Sequence, residues 1–257
     1  MNGAAGNPEA IRADSITKRF GQVSALAGVS LSVARGETLG ILGDNGAGKS
    51  TLIKILTGYH QPDAGQVYVD GRPVRLASVS EARALGIECV YQDLALVNGL
   101  SVYHNMFLNR ELLWGGPLRL LDHAAMRRRA AEGLAEIGVD VPSVEVAVGA
   151  LSGGQRQAIA VARAVLSQAR ILLLDEPLAA MGAREARLII DLIERLKARG
   201  DIAIAMIAHN YAQTLEICDR IVLMQHGEIT FESAAAATSA AELLDIVRRE
   251  YRAARAG

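Results

Sequence analysis

Aromatic residues make up only 4% of this 257-residue chain, although hydrophobic residues reach 51%. A core so poor in rings must be filled by Ala, Leu, Ile and Val, a mix suited to buried parallel strands covered by helices. Cysteine is scarce as well. Cys89 and Cys218 lie far apart, in or beside apolar segments, with no CxxC or Cys/His pattern. They are expected to be buried reduced thiols, compatible with a reducing cytoplasm, and not metal ligands. Charge of one sign does not accumulate: 27 Lys and Arg stand against 28 Asp and Glu, a formal -1. That balance excludes a global field able to gather nucleic acid or anionic lipid. The longest apolar runs, such as 202–208, fall far short of the ~20 residues that cross a bilayer. Residues 1–10 have neither the basic n-region nor the apolar h-region of a signal peptide and read as a flexible lead-in. The expectation is a soluble chain that meets a membrane only through a partner.

The length suits one large α/β domain, or one domain with a small subdomain. Up to about residue 75 the pattern is mostly β with one helix. Val29, Leu31 and Val33 alternate with small or polar residues, as on a half-buried strand. A short apolar strand over 38–42 runs into a Gly-rich turn, followed by a helix over 49–57 that Gly58 ends. Another strand covers 67–70. From 76 to 150 the texture changes: one strand, 87–91, precedes helical stretches, notably 122–137 after the turn Trp114-Gly115-Gly116-Pro117. From 151 a helix (153–167), a strand (171–175), a helix (184–199) and a strand (202–208) alternate, which implies a parallel sheet with crossover helices. An amphipathic helix over about 240–254 closes the chain, with Leu243, Leu244, Ile246 and Val247 as its apolar side.

Two stretches carry phosphate chemistry. Gly43-Asp44-Asn45-Gly46-Ala47-Gly48-Lys49-Ser50, with Thr51 next, fits GxxxxGK[ST] at every fixed position. Its glycines let backbone N–H groups curl around an anion, and the following helix aims its positive end at the same place. Lys49 would reach the β- and γ-phosphates of ATP, and Ser50 would ligate Mg²⁺. The second stretch, Ile171 to Glu176, is an apolar strand that delivers Asp175 to its C-terminal edge, where open α/β sheets bind ligands. Asp175 would hold the Mg²⁺ shell, and Glu176 would act as general base on the attacking water.

A third motif narrows the class. Leu151-Ser152-Gly153-Gly154-Gln155, 20 residues before the strand that ends in Asp175, resembles the signature of ABC ATPases. The resemblance spans about 11–232. It implies a P-loop core with a mostly parallel sheet, an N-terminal antiparallel β subdomain and an inserted helical subdomain at about 93–165, with 233–257 as a helical tail. It also implies that Ser152, Gly153, Gly154 and Gln155 cap ATP held by the opposite subunit of a homodimer. Carried across position by position, Phe20 matches the aromatic that stacks on adenine. Gln92 matches the glutamine that touches Mg²⁺ and reports nucleotide state to the helical subdomain. His209 matches the histidine that contacts the γ-phosphate and supports Glu176. One departure stands out: Gly182 replaces the aspartate that usually follows Ser-Ala-Leu in this family.

That departure is itself suggestive. Glu176-Pro177-Leu178-Ala179-Ala180-Met181-Gly182 is similar to the corresponding loop of ATPases serving ribose-, xylose- and fructose-type importers, as is Tyr91-Gln92-Asp93-Leu94-Ala95-Leu96-Val97. The implied partners are integral-membrane permease subunits and, indirectly, an extracytoplasmic solute-binding protein, with the ATPase on the cytoplasmic face of the membrane. Importers of other small solutes, such as nucleosides or autoinducers, remain alternatives. A nucleic-acid or ribosome factor fits less well, because the chain lacks coiled coils, zinc modules and a basic stripe. Arg127-Arg128-Arg129 reads as a solvated helix face. A non-hydrolysing subunit would have lost Lys49, Glu176 or His209, and all three are present.

Overall fold

The structure is a computed structural model and describes residues 8–115, 120–179 and 181–256, with side chains up to 249. Two sheets divide the work. Strands β1 (Glu9–Phe20), β2 (Val23–Ala34), β4 (Ala64–Val69) and β5 (Arg72–Val74) form an antiparallel sheet in the order β2-β1-β4-β5. Strands β3 (Thr38–Leu42), β6 (Ile87–Val90), β7 (Ile171–Asp175), β8 (Ala203–Ile207), β9 (Arg220–Gln225) and β10 (Glu228–Ala234) form the second, in the order β10-β9-β3-β8-β7-β6. Its ladders are parallel except where β10 returns against β9.

All five residues of β3, β7 and β8 are buried, which is why these strands read as unbroken apolar runs: a parallel sheet is covered on both faces. One face packs Leu172, Leu174, Ile204 and Met206 against helices α5 (Gly153–Leu166) and α6 (Ala183–Arg199), together with α3 (Val102–Phe107) and α4 (His123–Glu136). The other face packs Leu39, Ile41, Leu173 and Ile207 against α1 (Lys49–Leu56) and the inner side of the antiparallel sheet. Each fully buried Leu or Ile contributes about 1.5–3 kcal/mol, so both faces are strongly held.

Register decides where the functional loops emerge. Ile41 of β3 and Asp175 of β7 both pair with Ile207 of β8, and Val90 of β6 pairs with Leu174. The residues that follow these strands therefore leave from one edge, side by side: Gly43, His209, Glu176 and Tyr91-Gln92.

Several elements differ from expectation. Of the lead-in, residues 1–7 lie outside the described residues, and Glu9 and Ala10 already belong to β1. The expected turn at 114–117 is described only to Gly115. Helix α2 (Val79–Ala84), helix α7 (Tyr211–Ile217) and the β9–β10 hairpin are additional. That hairpin turns on His226 and Gly227, at φ 50° and 81°, the two positive values a tight two-residue hairpin needs. In the last helix, α8 (Ala240–Ala256), Leu243 and Val247 are buried but Leu244 is 42% exposed. A helical step of one residue turns about 100°, so Leu244 leaves the face that its neighbours share.

Candidate nucleotide site

The loop between β3 and α1 is shaped by contacts only glycine permits. Gly43 and Gly48 sit at φ +142° and +100°, and a Cβ there would lie 2.2 Å from the Met224 carbonyl oxygen and 2.4 Å from that of Ala25. The backbone is thus pressed against β9 and β2 on the inside, and the loop closes on itself where the Ala47 amide donates to the Asp44 carbonyl at 3.2 Å. At the start of α1, Gly48 provides no side-chain cap and the first turn holds no acidic residue. Uncapped first-turn amides with a favourable dipole are an anion site. Lys49 is 5% exposed, and its Nζ donates to the Gly43 and Asp44 carbonyls at 2.6 and 2.8 Å. Burial lowers its pKa from the ordinary lysine value, opposed by the charges of Glu176, Asp44 and Asp175. The ammonium rests on two neutral acceptors of the loop, which charged phosphate oxygens would outcompete. Ser50 and Thr51 follow on the first turn.

Across the sheet edge, Ser50 Oγ lies 3.5 Å from Asp175 Oδ1. Asp175 is 8% exposed, and burial, then the neighbouring Glu176 charge, raises its pKa. A buried carboxylate beside a hydroxyl fits a magnesium ion, which prefers hard oxygens and shares its shell with substrate phosphate. No group of three or more His, Cys, Asp or Glu assembles a metal cage among the described residues.

Glu176 has φ +54°, an uncommon conformation for a residue with a Cβ. Such backbone persists where surrounding structure enforces it; here the Glu176 carbonyl accepts the Ala179 amide at 3.1 Å. The turn points the carboxylate toward β8, where His209 Nε2 lies 2.6 Å from Glu176 Oε1. Both side chains reach solvent, at 42% exposure for His209 and 19% for Glu176. They open on a cleft of about 400 Å³ that Pro177, Met181 and Gln213 also line.

Three expected site residues stand apart from this cluster. Phe20, at the end of β1, is 45% exposed; its ring meets His60 edge-on at 5.3 Å, and Lys18 Nζ lies 5.6 Å from its centroid. Gln92 is exposed and makes no hydrogen bond to Ser50 or Asp175; it lines a separate cleft of about 360 Å³ with Gly153, Arg156 and Glu185. Ser152 begins α5 in a full capping box: its Oγ accepts from the Gln155 amide at 3.2 Å while Gln155 Oε1 accepts from the Ser152 amide at 3.1 Å.

The frame is that of a nucleotide-binding cassette, and the comparisons with known proteins agree. The ABC transporter family pattern matches residues 26–179. The chain is 43% identical over 232 residues to the xylose/arabinose import ATP-binding protein XylG of Sulfolobus acidocaldarius, covering 90% of this chain and 91% of that one. It belongs to the ABC transporter family. The fructose import ATP-binding protein FrcA of Rhizobium meliloti is 42% identical, with 84% and 85% covered. The ribose import ATP-binding protein RbsA 1 of Burkholderia thailandensis is 40% identical over 90% of this chain, which spans only 45% of that longer protein. Among solved structures, a nucleotide-free ATP-binding cassette from an ABC transporter superposes with a TM-score of 0.80 at 27% identity, covering 93% and 95%. MJ1267 in its ADP conformation, also an ATP-binding cassette of an ABC transporter, gives 0.78 at 29%, covering 88% and 91%. This ABC ATPase has the expected antiparallel sheet, mostly parallel core sheet and inserted helices.

Sequence reasoning missed two neighbours of the site. Glu185, on the first turn of α6, accepts from the Gly154 amide at 3.3 Å, and His60 abuts Phe20. Neither is signalled locally, since each meets its partner across more than 30 residues of chain.

Proposed function

We propose that this ABC ATPase powers the import of a monosaccharide across a membrane, working as a homodimer on the cytoplasmic face and bound to permease subunits that a solute-binding protein serves. The sugar assignment is supported by its similarity to xylose/arabinose, fructose and ribose import proteins, two of which match it along most of their own length.

The observation that carries the hydrolytic reading is the 2.6 Å contact between His209 and Glu176 at the mouth of the phosphate loop. In this reading Phe20 stacks on adenine, while the uncapped amides at the start of α1 and the Lys49 ammonium grip the phosphates. Ser50, Asp175 and Gln92 would hold Mg²⁺, which supplies neutralisation of charge on the β- and γ-phosphates. Glu176 accepts a proton from the attacking water, and His209 donates to its carboxylate and keeps it aimed. Ser152 and Gly154 of each subunit complete the site of its partner, because the N-terminus of α5 offers the second anion-binding turn.

Glu176→Gln tests this directly. The loss of a general base should lower kcat by at least about 10² and leave an ATP-bound dimer on gel filtration. Turnover at the wild-type rate would remove Glu176 from the base role. For the solute, the chain should co-purify with a permease whose solute-binding protein takes up ribose, xylose or fructose. Affinity only for a nucleoside or an autoinducer would redirect the assignment.

A further inference from the structure

Between Gln92 and the signature motif lies a contact that neither motif predicts. Arg163 stands near the C-terminal end of α5, the helix whose first turn follows Ser152. Its Nη2 donates to the Leu94 carbonyl and its Nη1 to the Ala95 carbonyl, each at 2.9 Å. These two carbonyls come two and three residues after Gln92. Ala95 has φ +49°, a strained value for a residue with a Cβ, which needs outside support to persist. The planar guanidinium supplies that support, since two donors in a rigid fork set both distance and orientation.

The arrangement is not an ion pair. Arg163 is half-buried, and no carboxylate lies within ion-pair distance of it among the described residues. A guanidinium in such a place normally pairs with an acid; here its donors go to two carbonyls of the loop that follows Gln92. Helix α5 between Ser152 and Arg163 is a continuous rod of roughly 16 Å at 1.5 Å per residue. A displacement applied at one end therefore appears at the other.

We infer that Arg163 is a positioning residue that ties the loop after Gln92 to the helix bearing Ser152, Gly153 and Gly154, so that Gln92 and the signature motif move as one piece. The inference rests on the nucleotide-motor reading above. Through this tie, the side of the chain that meets its own nucleotide orients the surface offered to the partner's nucleotide. Nothing in this role requires Arg163 to touch ATP.

The test uses the full chain as wild type, R163A and R163K, with E176Q alongside. Three quantities are measured: binding of a fluorescent ATP analogue, steady-state hydrolysis, and amide hydrogen exchange at residues 94–97. For R163A, analogue binding and KM should stay within twofold of wild type while kcat falls at least tenfold. Exchange at 94–97 should rise at least tenfold, with β7 and the middle of α5 unchanged. R163K, which keeps the charge but loses the fork, should recover only part of kcat. A kcat within twofold of wild type would overturn the inference. So would a loss of kcat matched by equal losses of affinity and by faster exchange throughout α5, the pattern of a merely structural residue. Failure of the underlying reading shows separately, as undiminished turnover by E176Q; exchange at 94–97 in R163A still decides whether Arg163 locks the loop.

Discussion

Two helices in this chain begin with glycine-rich, serine-bearing turns, and they are left in opposite states. The first turn of α1 has a glycine N-cap, no side-chain cap and no acidic residue, so its amides are free for an anion. The first turn of α5 already has partners: Ser152 and Gln155 cap each other reciprocally, and Glu185 accepts from the Gly154 amide. The same local chemistry thus gives a pocket ready for a ligand in one place and a satisfied helix end in the other. The difference is one of which partners the turn already has. Lys49, Ser50, Asp175, Glu176 and His209 gather at one sheet edge, whereas the signature turn stands apart and is held by a carboxylate of its own chain.

Variants on either side of this comparison should behave differently. The largest effect is expected for Lys49→Ala, which removes the cation that the proposed reading gives to the transferred phosphoryl group; kcat should fall by at least about 10³, with a clear loss of nucleotide affinity in a binding titration. Retained affinity would mean that the α1 amides suffice. Ser152→Ala acts on the other turn. It should lower kcat by roughly 10²–10³, the cost of losing one donor to developing charge, while ATP binding by the chain's own phosphate loop stays intact. It should also cost about 1 kcal/mol of stability through the lost cap, read by urea denaturation. Equal damage to binding and turnover would erase the distinction between the two turns.

A smaller effect concerns Asp175, whose pKa is raised above the ordinary 3.8 by burial and by Glu176. Below 3.8 the group is protonated in folded and unfolded chains alike, so it carries no penalty there. As pH climbs through the raised folded value, the unfolded chain ionises more readily and the nucleotide-free protein loses stability. Asp175→Asn should therefore melt above wild type at pH 7, with the gap closing as pH falls toward 4. The same variant should lose the extra Tm that Mg²⁺ with ATP confers. Melting curves from pH 4 to 8 decide the matter, and a lower Tm for the variant at pH 7 would refute it. The smallest change is expected for Gly182→Asp. Gly182 caps α6 at φ −69° without a side-chain bond, and a Cβ there meets nothing within 4 Å. Aspartate should fit and cap the helix, adding a few tenths of a kcal/mol in the denaturant midpoint.

How much could be read in advance depended on how local each cause was. Strands β3 and β7 match the expected bounds to the residue, because an all-apolar run ends abruptly at a polar motif in both cases. Gly58, at φ +72°, does lie just past the end of α1, as its lack of a Cβ suggested. The helix expected over 122–137 is α4, His123–Glu136, and Asp122 caps it by accepting the Ala125 amide at 2.9 Å. Helix α7 and the β9–β10 hairpin lie outside the expected pattern, although the apolar run Ile221 to Met224 followed by His226-Gly227 carries the signal for the hairpin. Leu244 was misplaced because a count of apolar residues does not by itself say which of four neighbours turn inward.

By itself, the sequence determined the chemistry. GxxxxGKS, the apolar run into Asp175-Glu176 and LSGGQ each specify what a few consecutive residues can do, since glycine conformations, strand burial and helix starts are governed at short range. Only the tertiary structure decided which of these residues meet. Parallel register through Ile207 sets Glu176 beside His209, separated by 33 positions. Packing of α6 brings Glu185 onto Gly154, and packing of α5 brings Arg163 onto Leu94 and Ala95. Such pairings depend on strand order and helix docking, which are settled by burial across the whole core and leave no mark on either partner's local sequence.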